Sequence, residues 1–253
     1  MSIEDLLQAP QRGFENFYGL AYFFIEMVGV SWSNNDLWYQ NFQLCQWFGV
    51  QCLFLDTFSS LDLQNNKLQG QIPTIIGSVP TLLLLDLSAN PSISGTIPSE
   101  LSKITALSQL ALADAQLSGS IPTEFGELTR ANFLNFANNS LSGTIPSEIF
   151  GIETLETFAI SNNDLSGSIP SEIGEATGLV ILQLGRNELT GLLPSEISNL
   201  SRLEYLNLRN NQLSGSIPSS IWELTTLEMI NFVDSGLDME SIPANACEAS
   251  QQR

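Results

Sequence analysis

A column of glutamates recurs at fixed spacing along the 253-residue chain. Paired carboxylates can perform general acid–base catalysis, and stacked carboxylates can bind cations or basic partners. Each of these glutamates follows a proline by two residues, and they stand 24 residues apart: Glu100, Glu124, Glu148, Glu172 and Glu196. A structural explanation is favoured, because a glutamate in the first turn of a short helix is stabilised by the helix dipole. A stripe that binds cations or a basic partner is the alternative.

Other residue types restrict the chemistry further. The sequence has no histidine, which removes the commonest general base and metal ligand. It also lacks the spacing of a phosphate-binding glycine loop or a cysteine–histidine metal site. We therefore expect no catalytic residue, no metal and no cofactor. The formal charge of −19, from 27 acidic and 8 basic residues, disfavours nucleic acid as a partner.

The elements that carry these residues repeat with a period of 24 residues. Pro91-Ser92 adds one residue to the second unit, and the units start at Phe58, Leu82, Leu107, Ala131, Leu155, Leu179, Leu203 and Leu227. Apolar and polar residues alternate near the start of each unit, as around Leu206 and Leu208, which predicts a strand with one buried face. Strands this short need neighbours, so the repeat predicts one long parallel sheet.

Three further columns fit the same stacked coils. An asparagine column can pair with backbone groups that turn inward, and Ala115 and Ser235 interrupt it: Asn66, Asn90, Asn139, Asn163, Asn187 and Asn211. A glycine column predicts turns with positive φ: Gly70, Gly95, Gly119, Gly143, Gly167, Gly191 and Gly215. Isoleucine–proline pairs, such as Ile145-Pro146, predict an extended segment that leads into a short helical turn.

The repeat pattern L-x-x-L-x-L-x-x-N-x-L-S-G-x-I-P-x-x-I-G-x-L resembles the plant-type leucine-rich repeat, in about eight units over residues 58–239. The resemblance implies an α/β solenoid, a right-handed superhelix with a long parallel sheet on the concave face. It further implies an extra strand per coil and short 3-10 helices on the convex face. Ectodomains of receptor-like proteins and polygalacturonase-inhibitor-like proteins carry similar repeats.

The ends of a solenoid need caps, so we expect an N-terminal cap over residues 1–57 and a short C-terminal cap or tail over 240–253. A helix over about residues 13–29 is predicted to lie on the first coil through Phe17, Leu20, Phe24 and Val28. The following C-x-W-x-G-V-x-C segment resembles the cap of plant-type and algal repeat proteins. That resemblance implies a Cys45–Cys52 disulfide, with two buried thiols as the alternative, and leaves Cys247 without an assigned partner.

The implied disulfide points to an oxidising compartment, so we expect an extracellular, cell-surface or lumenal protein. Glu4 and Asp5 stand where a signal peptide carries positive charge, which leaves open a fragment of a membrane-anchored receptor. The apolar stretch Phe14 to Val30 contains Glu15 and Glu26, and it predicts an amphipathic helix and no membrane span.

The exposed face of the predicted sheet is the usual binding surface of the resembling family. Side chains between the strand leucines form four rows across the coils, and the C-terminal half combines apolar and aromatic residues with two arginines. Tyrosine and arginine often anchor interfaces. The candidate patch consists of Phe133, Ile181, Arg186, Tyr205, Asn207, Arg209 and Met229. Local pairing of the arginines with Glu188 or Asp234 is the alternative.

Two segments match the N-glycosylation acceptor pattern, at Asn138 and at Asn199. Asn199 is favoured because a glycan on Asn138 would obstruct the exposed sheet face.

These features predict a non-catalytic recognition module that binds a protein, a peptide or a polysaccharide, with a co-receptor or a second copy of the chain as further candidate partners. The acidic surface favours a basic partner. The alternatives are a structural protein that adsorbs to ice, mineral or wall polymer, and an intracellular scaffold. Irregular exposed columns, such as Asp62, Asp86, Ala111 and Asn135, argue against a match to a crystal lattice.

Overall fold

The computed structural model describes residues 49–53 and 57–242, together with Met27 and Ser33. Within this part, the chain winds as a leucine-rich-repeat solenoid, as predicted. A typical coil contributes one strand to a main sheet, one strand to a second sheet and one 3-10 helix.

The main sheet confirms the predicted strand positions. Its nine strands follow chain order: Val50–Leu53, Thr57–Asp62, Leu84–Asp86, Gln109–Ala111, Phe133–Asn135, Thr157–Ala159, Ile181–Gln183, Tyr205–Asn207 and Met229–Asn231. From the second strand onward the strands are parallel and equivalent residues face each other, as Tyr205 faces Ile181 on one side and Met229 on the other. The four rows inferred from the repeat are therefore in register.

The first strand runs against the others. Val50–Leu53 pairs antiparallel with Thr57–Asp62, with Val50 opposite Leu61 and a bulge between Gln51 and Cys52. Gly49 enters this hairpin at φ +76°, and a side chain there would collide with the Asp62 carbonyl oxygen. The hairpin covers the N-terminal edge of the parallel sheet, an edge that would otherwise offer unpaired backbone groups. The repeat pattern predicted a cap here but not its antiparallel pairing.

The second sheet supplies the extra strand per coil that the family resemblance implies. Its seven strands are Gln69–Gln71, Ser92–Thr96, Gln116–Gly119, Ser140–Gly143, Asp164–Ser168, Glu188–Leu192 and Gln212–Ser214. Gly167 faces Leu189 and Gly191 faces Leu213, so equivalent positions do not face each other. Each strand is thus offset by two residues, about 7 Å along the strand. The glycine column has positive φ throughout, as predicted.

Short 3-10 helices complete the coils. These helices are Thr74–Ser78, Ser99–Lys103, Thr123–Glu127, Ser147–Gly151, Ser171–Glu175, Ser195–Asn199, Ser219–Glu223 and Met239–Ser241. Proline directly precedes each of the first seven, as the isoleucine–proline pairs predicted. Helices of neighbouring coils contact each other. Among the described residues, none of the helices is long and apolar enough to cross a membrane.

One continuous hydrophobic core runs through the coils. Leucine and isoleucine form most of it, and phenylalanine fills the middle, where the rings of Phe150 and Phe158 meet edge to face at 5.9 Å. From the N-terminal cap, Met27 is fully buried in the same core, and the Ser33 N–H donates to the Asn66 carbonyl oxygen. The predicted helix over residues 13–29, with Phe17, Leu20, Phe24 and Val28, lies outside the described residues.

The asparagine column ties each coil to the preceding one. Asn163 Nδ2 donates to the carbonyl oxygens of Phe136 at 3.0 Å and Ile160 at 3.1 Å, and its Oδ1 accepts from Leu141 N–H at 2.9 Å. Asn139, Asn187 and Asn211 repeat the same three bonds. Each side chain thus satisfies backbone groups in two coils, which is the role that the repeat pattern predicted.

The two interruptions of the column are compensated by backbone. An asparagine at position 115 would accept from Ile93 N–H. This N–H donates instead to the Asn90 carbonyl oxygen at 3.0 Å, across the turn that contains the extra residue at Pro91-Ser92. In the last coil, the Ser235 carbonyl oxygen accepts from Leu213 N–H at 2.8 Å. Both amide groups that an asparagine would have served are therefore paired.

This difference predicts unequal effects of two substitutions. Asn163→Ala should lower the free energy of unfolding by about 2 kcal/mol, because Leu141 N–H is left buried without an acceptor. Ala115→Asn, which restores the consensus, should change it by less than about 0.5 kcal/mol, because Ile93 N–H already has a partner. Denaturant unfolding of both variants checks this, and a large gain from Ala115→Asn would contradict it.

Candidate binding face

Backbone hydrogen bonds between adjacent coils continue past the C-terminal ends of the main-sheet strands. Arg186 N–H donates to the Arg209 carbonyl oxygen at 2.7 Å, and Asn210 N–H donates to Val233 at 2.8 Å. The two arginines therefore lie on adjacent coils of one face, as predicted, beside the strands that carry Ile181, Tyr205 and Met229.

Three candidate side chains form one apolar row. Ile181, Tyr205 and Met229 face each other on three neighbouring strands. Ile181 and Tyr205 are half-buried, and Met229 is 55% exposed. Phe133 lies apart from them, because the strand with Thr157 stands between Phe133 and Ile181.

Val233 extends the exposed apolar surface beside this row. It is 63% exposed and follows Arg209 in the third row of the face. Sequence reasoning placed Val233 in that row but did not select it, because exposure of a single valine has no pattern of its own. The contiguous patch thus contains Ile181, Tyr205, Met229 and Val233 beside the arginines.

The arginines have no local acidic partner among the described residues. The salt bridge found there joins Arg202 and Glu156 at 3.4 Å, away from the patch. Asp234, a predicted partner, instead accepts a hydrogen bond from Asn210 Nδ2 at 3.4 Å. Among the described residues, neither arginine therefore forms the ion pair with Glu188 or Asp234 that the alternative explanation required.

Arg209 is positioned by two neighbouring residues, Gly185 and Asn207. A Cβ atom at position 185 would lie 2.7 Å from Asn207 Oδ1 and 3.1 Å from Arg209 Cγ. The aliphatic part of the Arg209 side chain therefore lies over Gly185. Asn207 is 8% exposed, and its Oδ1 accepts from Arg209 N–H at 3.2 Å. Asn207 thus orients the Arg209 backbone. Sequence reasoning missed Gly185, which is the sole glycine in its row.

The fourth row is governed by backbone conformation. Its residues have positive φ: Asn65, Ala89, Asp114, Asn138, Asn162, Arg186, Asn210 and Asp234. Asparagine and aspartate tolerate this region better than other side chains, which explains six of the eight identities. Ala89 and Arg186 are the exceptions, with φ +57° each. Arg186 therefore adopts a costly conformation, as Ala89 does, because the repeat imposes positive φ at this position in every coil.

The glutamate column occupies the first turns of the 3-10 helices, as the favoured explanation predicted. A side chain atom built on Gly126 or Gly174 would come within 2.8 Å of Glu148 Cβ or Glu196 Cβ, so these glutamates pack closely on the preceding coil. The part of the chain that the structure describes contains no group of three or more acidic, cysteine or histidine side chains placed to hold a metal ion.

The predicted modification sites differ in their surroundings. Asn138 is exposed on the main-sheet face, and its Nδ2 donates to Asp114 Oδ1 at 2.8 Å. Asn199 is exposed at the end of a 3-10 helix. Glycosylation at either residue stays a prediction. The Cys45–Cys52 disulfide also stays one, because Cys45 and the Cys52 side chain lie outside the described residues.

Comparison with known proteins identifies the family. Residues 177–237 match a model described as Leucine rich repeat, and residues 57–79, 132–152 and 154–176 match a second model, Leucine Rich Repeat. The chain belongs to the leucine-rich-repeat family.

Curated relatives include the leucine-rich repeat receptor-like serine/threonine-protein kinase RGI4 of Arabidopsis thaliana. It is 37% identical over 74 residues, which are 29% of this chain and 7% of that protein. A polygalacturonase inhibitor of Pyrus communis is 31% identical over 77 residues, which are 30% of this chain and 23% of the inhibitor. The matched segment therefore spans a minor part of both relatives.

Solved structures share the fold over longer stretches. PEPR1-AtPEP1 matches with a TM-score of 0.79 and 30% identity over 91% of this chain and 33% of that one. The Arabidopsis receptor kinase HAESA, with the peptide hormone IDA and the co-receptor SERK1, matches at 0.67 and 28% over 87% and 41%. A plant ice-binding protein matches at 0.69 and 25% over 92% of both chains.

The positive φ of Arg186 predicts that asparagine at this position stabilises the fold. Arg186→Asn should raise the free energy of unfolding by about 0.5–1 kcal/mol, since asparagine tolerates positive φ better. Ala89→Asn, at the equivalent position far from the patch, should raise it by a similar amount. Denaturant unfolding measures both. A stability loss in Arg186→Asn would mean that the arginine side chain supports the fold.

Proposed function

We propose that this chain is a non-catalytic recognition module that binds a protein or peptide through the C-terminal half of the main-sheet face. The ligand contacts the apolar row of Ile181, Tyr205 and Met229 and pairs an acidic group with Arg186 and Arg209. Asn207 contributes by orienting Arg209, and Phe133 marks the far end of the contact surface.

The observation that carries this proposal is the combination of exposed apolar side chains with unpaired arginines on one rigid face. Met229 and Val233 are 55% and 63% exposed, which is a high value for large apolar residues on neighbouring positions. Arginine in such a setting gains from bidentate contacts with carboxylates. A sheet built from stacked coils holds these groups in fixed positions, so little conformational entropy is lost when a ligand binds to them.

The relatives support the same class of function. The HAESA structure contains a peptide hormone and a co-receptor, and a curated relative inhibits polygalacturonase. This chain matches less than half of the length of either protein, so its ligand is inferred from its own side chains. A neutral polysaccharide is less well matched, since its hydroxyl groups cannot form charge-assisted hydrogen bonds with the arginines as a carboxylate does.

Tyr205→Ala combined with Arg209→Ala should weaken partner binding by about 2 kcal/mol or more, because both residues are interface anchors. The melting temperature should stay nearly unchanged, since both side chains lie on the solvent side of the sheet. Calorimetric titration with a partner captured from the native source measures the first, and thermal unfolding the second. The matched control is Gln109→Ala with Gln116→Ala, at exposed positions outside the patch. Unaltered affinity in the Tyr205/Arg209 variant would overturn the patch assignment.

We also propose that the chain works in an oxidising, extracytosolic compartment. The support is the cysteine pattern of the cap and the likeness to receptor ectodomains. Mass spectrometry with a thiol-specific label, on protein from its native source, should detect one free thiol and a Cys45–Cys52 disulfide. Three free thiols would place the chain in a reducing compartment and make an intracellular scaffold the better explanation.

Adsorption to a surface is the second candidate function, and the ice-binding relative that matches along 92% of both chains favours it. Its support within this chain is a column of exposed hydroxyl side chains at or directly after the ends of the second-sheet strands: Thr96, Ser120, Thr144 and Ser168. Leu192 interrupts this column with a side chain that is 66% exposed. The main-sheet rows are irregular as well, so a ligand with local anchors fits this surface better than a repeating lattice does.

A further inference from the structure

We propose that the C-terminal end of the solenoid binds an extended segment of a partner protein, which pairs as an added strand with the last main-sheet strand, Met229–Asn231. The segment has apolar side chains that cover the end of the hydrophobic core and a basic residue near each of its own ends. This inference goes beyond the proposed function, because it concerns the end of the solenoid and not the face of the main sheet. Met229 and Val233 border both surfaces.

The backbone hydrogen bonds between coils stop at the last coil. Leu208 N–H donates to the Asn231 carbonyl oxygen, and earlier coils repeat this bond at equivalent positions. Within the described residues, the equivalent N–H of Phe232 and the N–H of Asp234 have no acceptor, and the Glu228 carbonyl oxygen has no donor. The last coil therefore presents an open sheet edge, which is able to pair with a strand of another chain.

The hydrophobic core is less covered at this end than elsewhere. In the seventh coil, three core side chains are fully buried: Leu200, Leu203 and Leu206. Their equivalents in the eighth coil are only partly buried, although they pack against the same core: Leu224, Leu227 and Ile230. An added strand would remove this remaining apolar surface from water, as the next coil does at every earlier position.

Exposed apolar side chains flank the open edge. Met229 and Val233 are 55% and 63% exposed on the main-sheet side, and Met239 is 49% exposed in the last 3-10 helix. Elsewhere in the part of the chain that the structure describes, only Leu192 is as exposed among the large apolar residues. A cluster of such side chains marks an interaction surface, whereas a single one does not.

The charges around this end are acidic. Residues 210–242 contain no lysine or arginine, and their carboxylates are all exposed: Glu223, Glu228, Asp234, Asp238 and Glu240. In the preceding coil, Glu204 adds a further exposed carboxylate, Arg202 pairs with Glu156, and Arg209 lies on the main-sheet face. Charge complementarity therefore favours a segment that carries basic residues.

Two other occupants match this surface less well. A second copy of the chain would bring two sets of the same carboxylates together, and like charges disfavour an interface. Residues 243–253 supply proline, alanine and cysteine but no branched or aromatic apolar residue, which are the types that strands favour. A partner segment with branched apolar residues and lysine or arginine is the better match.

The spacing of the open backbone groups sets the length of the segment. The edge runs from Glu228 to Asp234, so a segment of about seven residues spans it. Because successive side chains of a strand point to opposite faces, alternate residues of the segment cover Leu227 and Ile230. A lysine or arginine near each end then lies beside Glu228 or Asp234.

The first test compares two synthetic peptides of about nine residues, each with lysines at both ends and a valine–threonine–isoleucine–threonine–valine centre. In the second peptide the central amides are N-methylated, which removes the backbone donors and keeps the charge and the side chains. The unmodified peptide should bind the whole chain at least about tenfold more tightly in fluorescence polarisation, because it alone donates hydrogen bonds to the edge.

Equal affinities of the two peptides would overturn the proposal, since attraction between charges would then explain the binding. Failure of the unmodified peptide to bind would also overturn it and would mean that the edge is already covered. Sedimentation velocity then shows whether a second copy covers the edge, and a monomer would indicate residues 243–253.

Isosteric variants identify the carboxylates. Glu228→Gln with Asp234→Asn should weaken binding of the unmodified peptide about fivefold, because two exposed ion pairs are lost. The melting temperature should stay unchanged, since asparagine tolerates positive φ and its oxygen still accepts from Asn210 Nδ2. The matched control, Glu124→Gln with Glu148→Gln, removes the same charge from the 3-10 helices and should change affinity by less than about twofold. An equal loss in the control would contradict the proposal.

Hydrogen–deuterium exchange then locates the bound peptide. The unmodified peptide should slow exchange at least about fivefold at the backbone amides of Phe232 and Asp234, which gain acceptors, and the N-methylated peptide should not. Protection confined to another part of the chain, such as the second sheet, would show that the peptide binds elsewhere and that the proposed edge is wrong.

Discussion

Hydrogen bonding by the buried asparagine amides is the constraint on which the solenoid depends. Each coil must turn inward after a strand of only three residues, and the turn exposes peptide groups to the core. An amide side chain is both donor and acceptor, so one residue satisfies carbonyl groups of two coils and an N–H of the preceding coil. The same bonds set the distance between coils, and therefore the register of every row on the main sheet.

That register turns a repeated sequence into a continuous surface of aligned side-chain rows. Because equivalent residues face each other in the main sheet, a change in one coil alters one position of a row and leaves the others in place. Apolar contacts at Ile181, Tyr205 and Met229 are thus assembled from strands that are far apart in sequence. On the side of the 3-10 helices, Glu148 and Glu196 pack closely against glycines of the preceding coil.

The repeat pattern was sufficient to predict the coil, the strand positions, the inward asparagines and the positive-φ glycines, because each of these follows from period and residue type. It did not predict the antiparallel hairpin at Gly49 or the two-residue offset of the second sheet, which depend on contacts between segments without a shared period. The rows on the main sheet are in register as predicted, whereas the binding roles of Arg186 and Arg209 stay a prediction. The packing of Arg209 over Gly185, and the lack of an acidic partner for Arg186 among the described residues, depend on contacts between coils and could be seen only in the structure.

The backbone roles of aspartate and asparagine on this face have an evolutionary consequence. Codons for the two residues differ by a single base, and the Oδ1 contacts at Asp86 and Asn135 are the same. A point mutation can therefore add or remove a negative charge on the face while the Oδ1 contact with the backbone is kept. Duplicated coils would inherit an identical scaffold and could diverge in charge one base at a time, so that ligand preference changes while the solenoid remains intact.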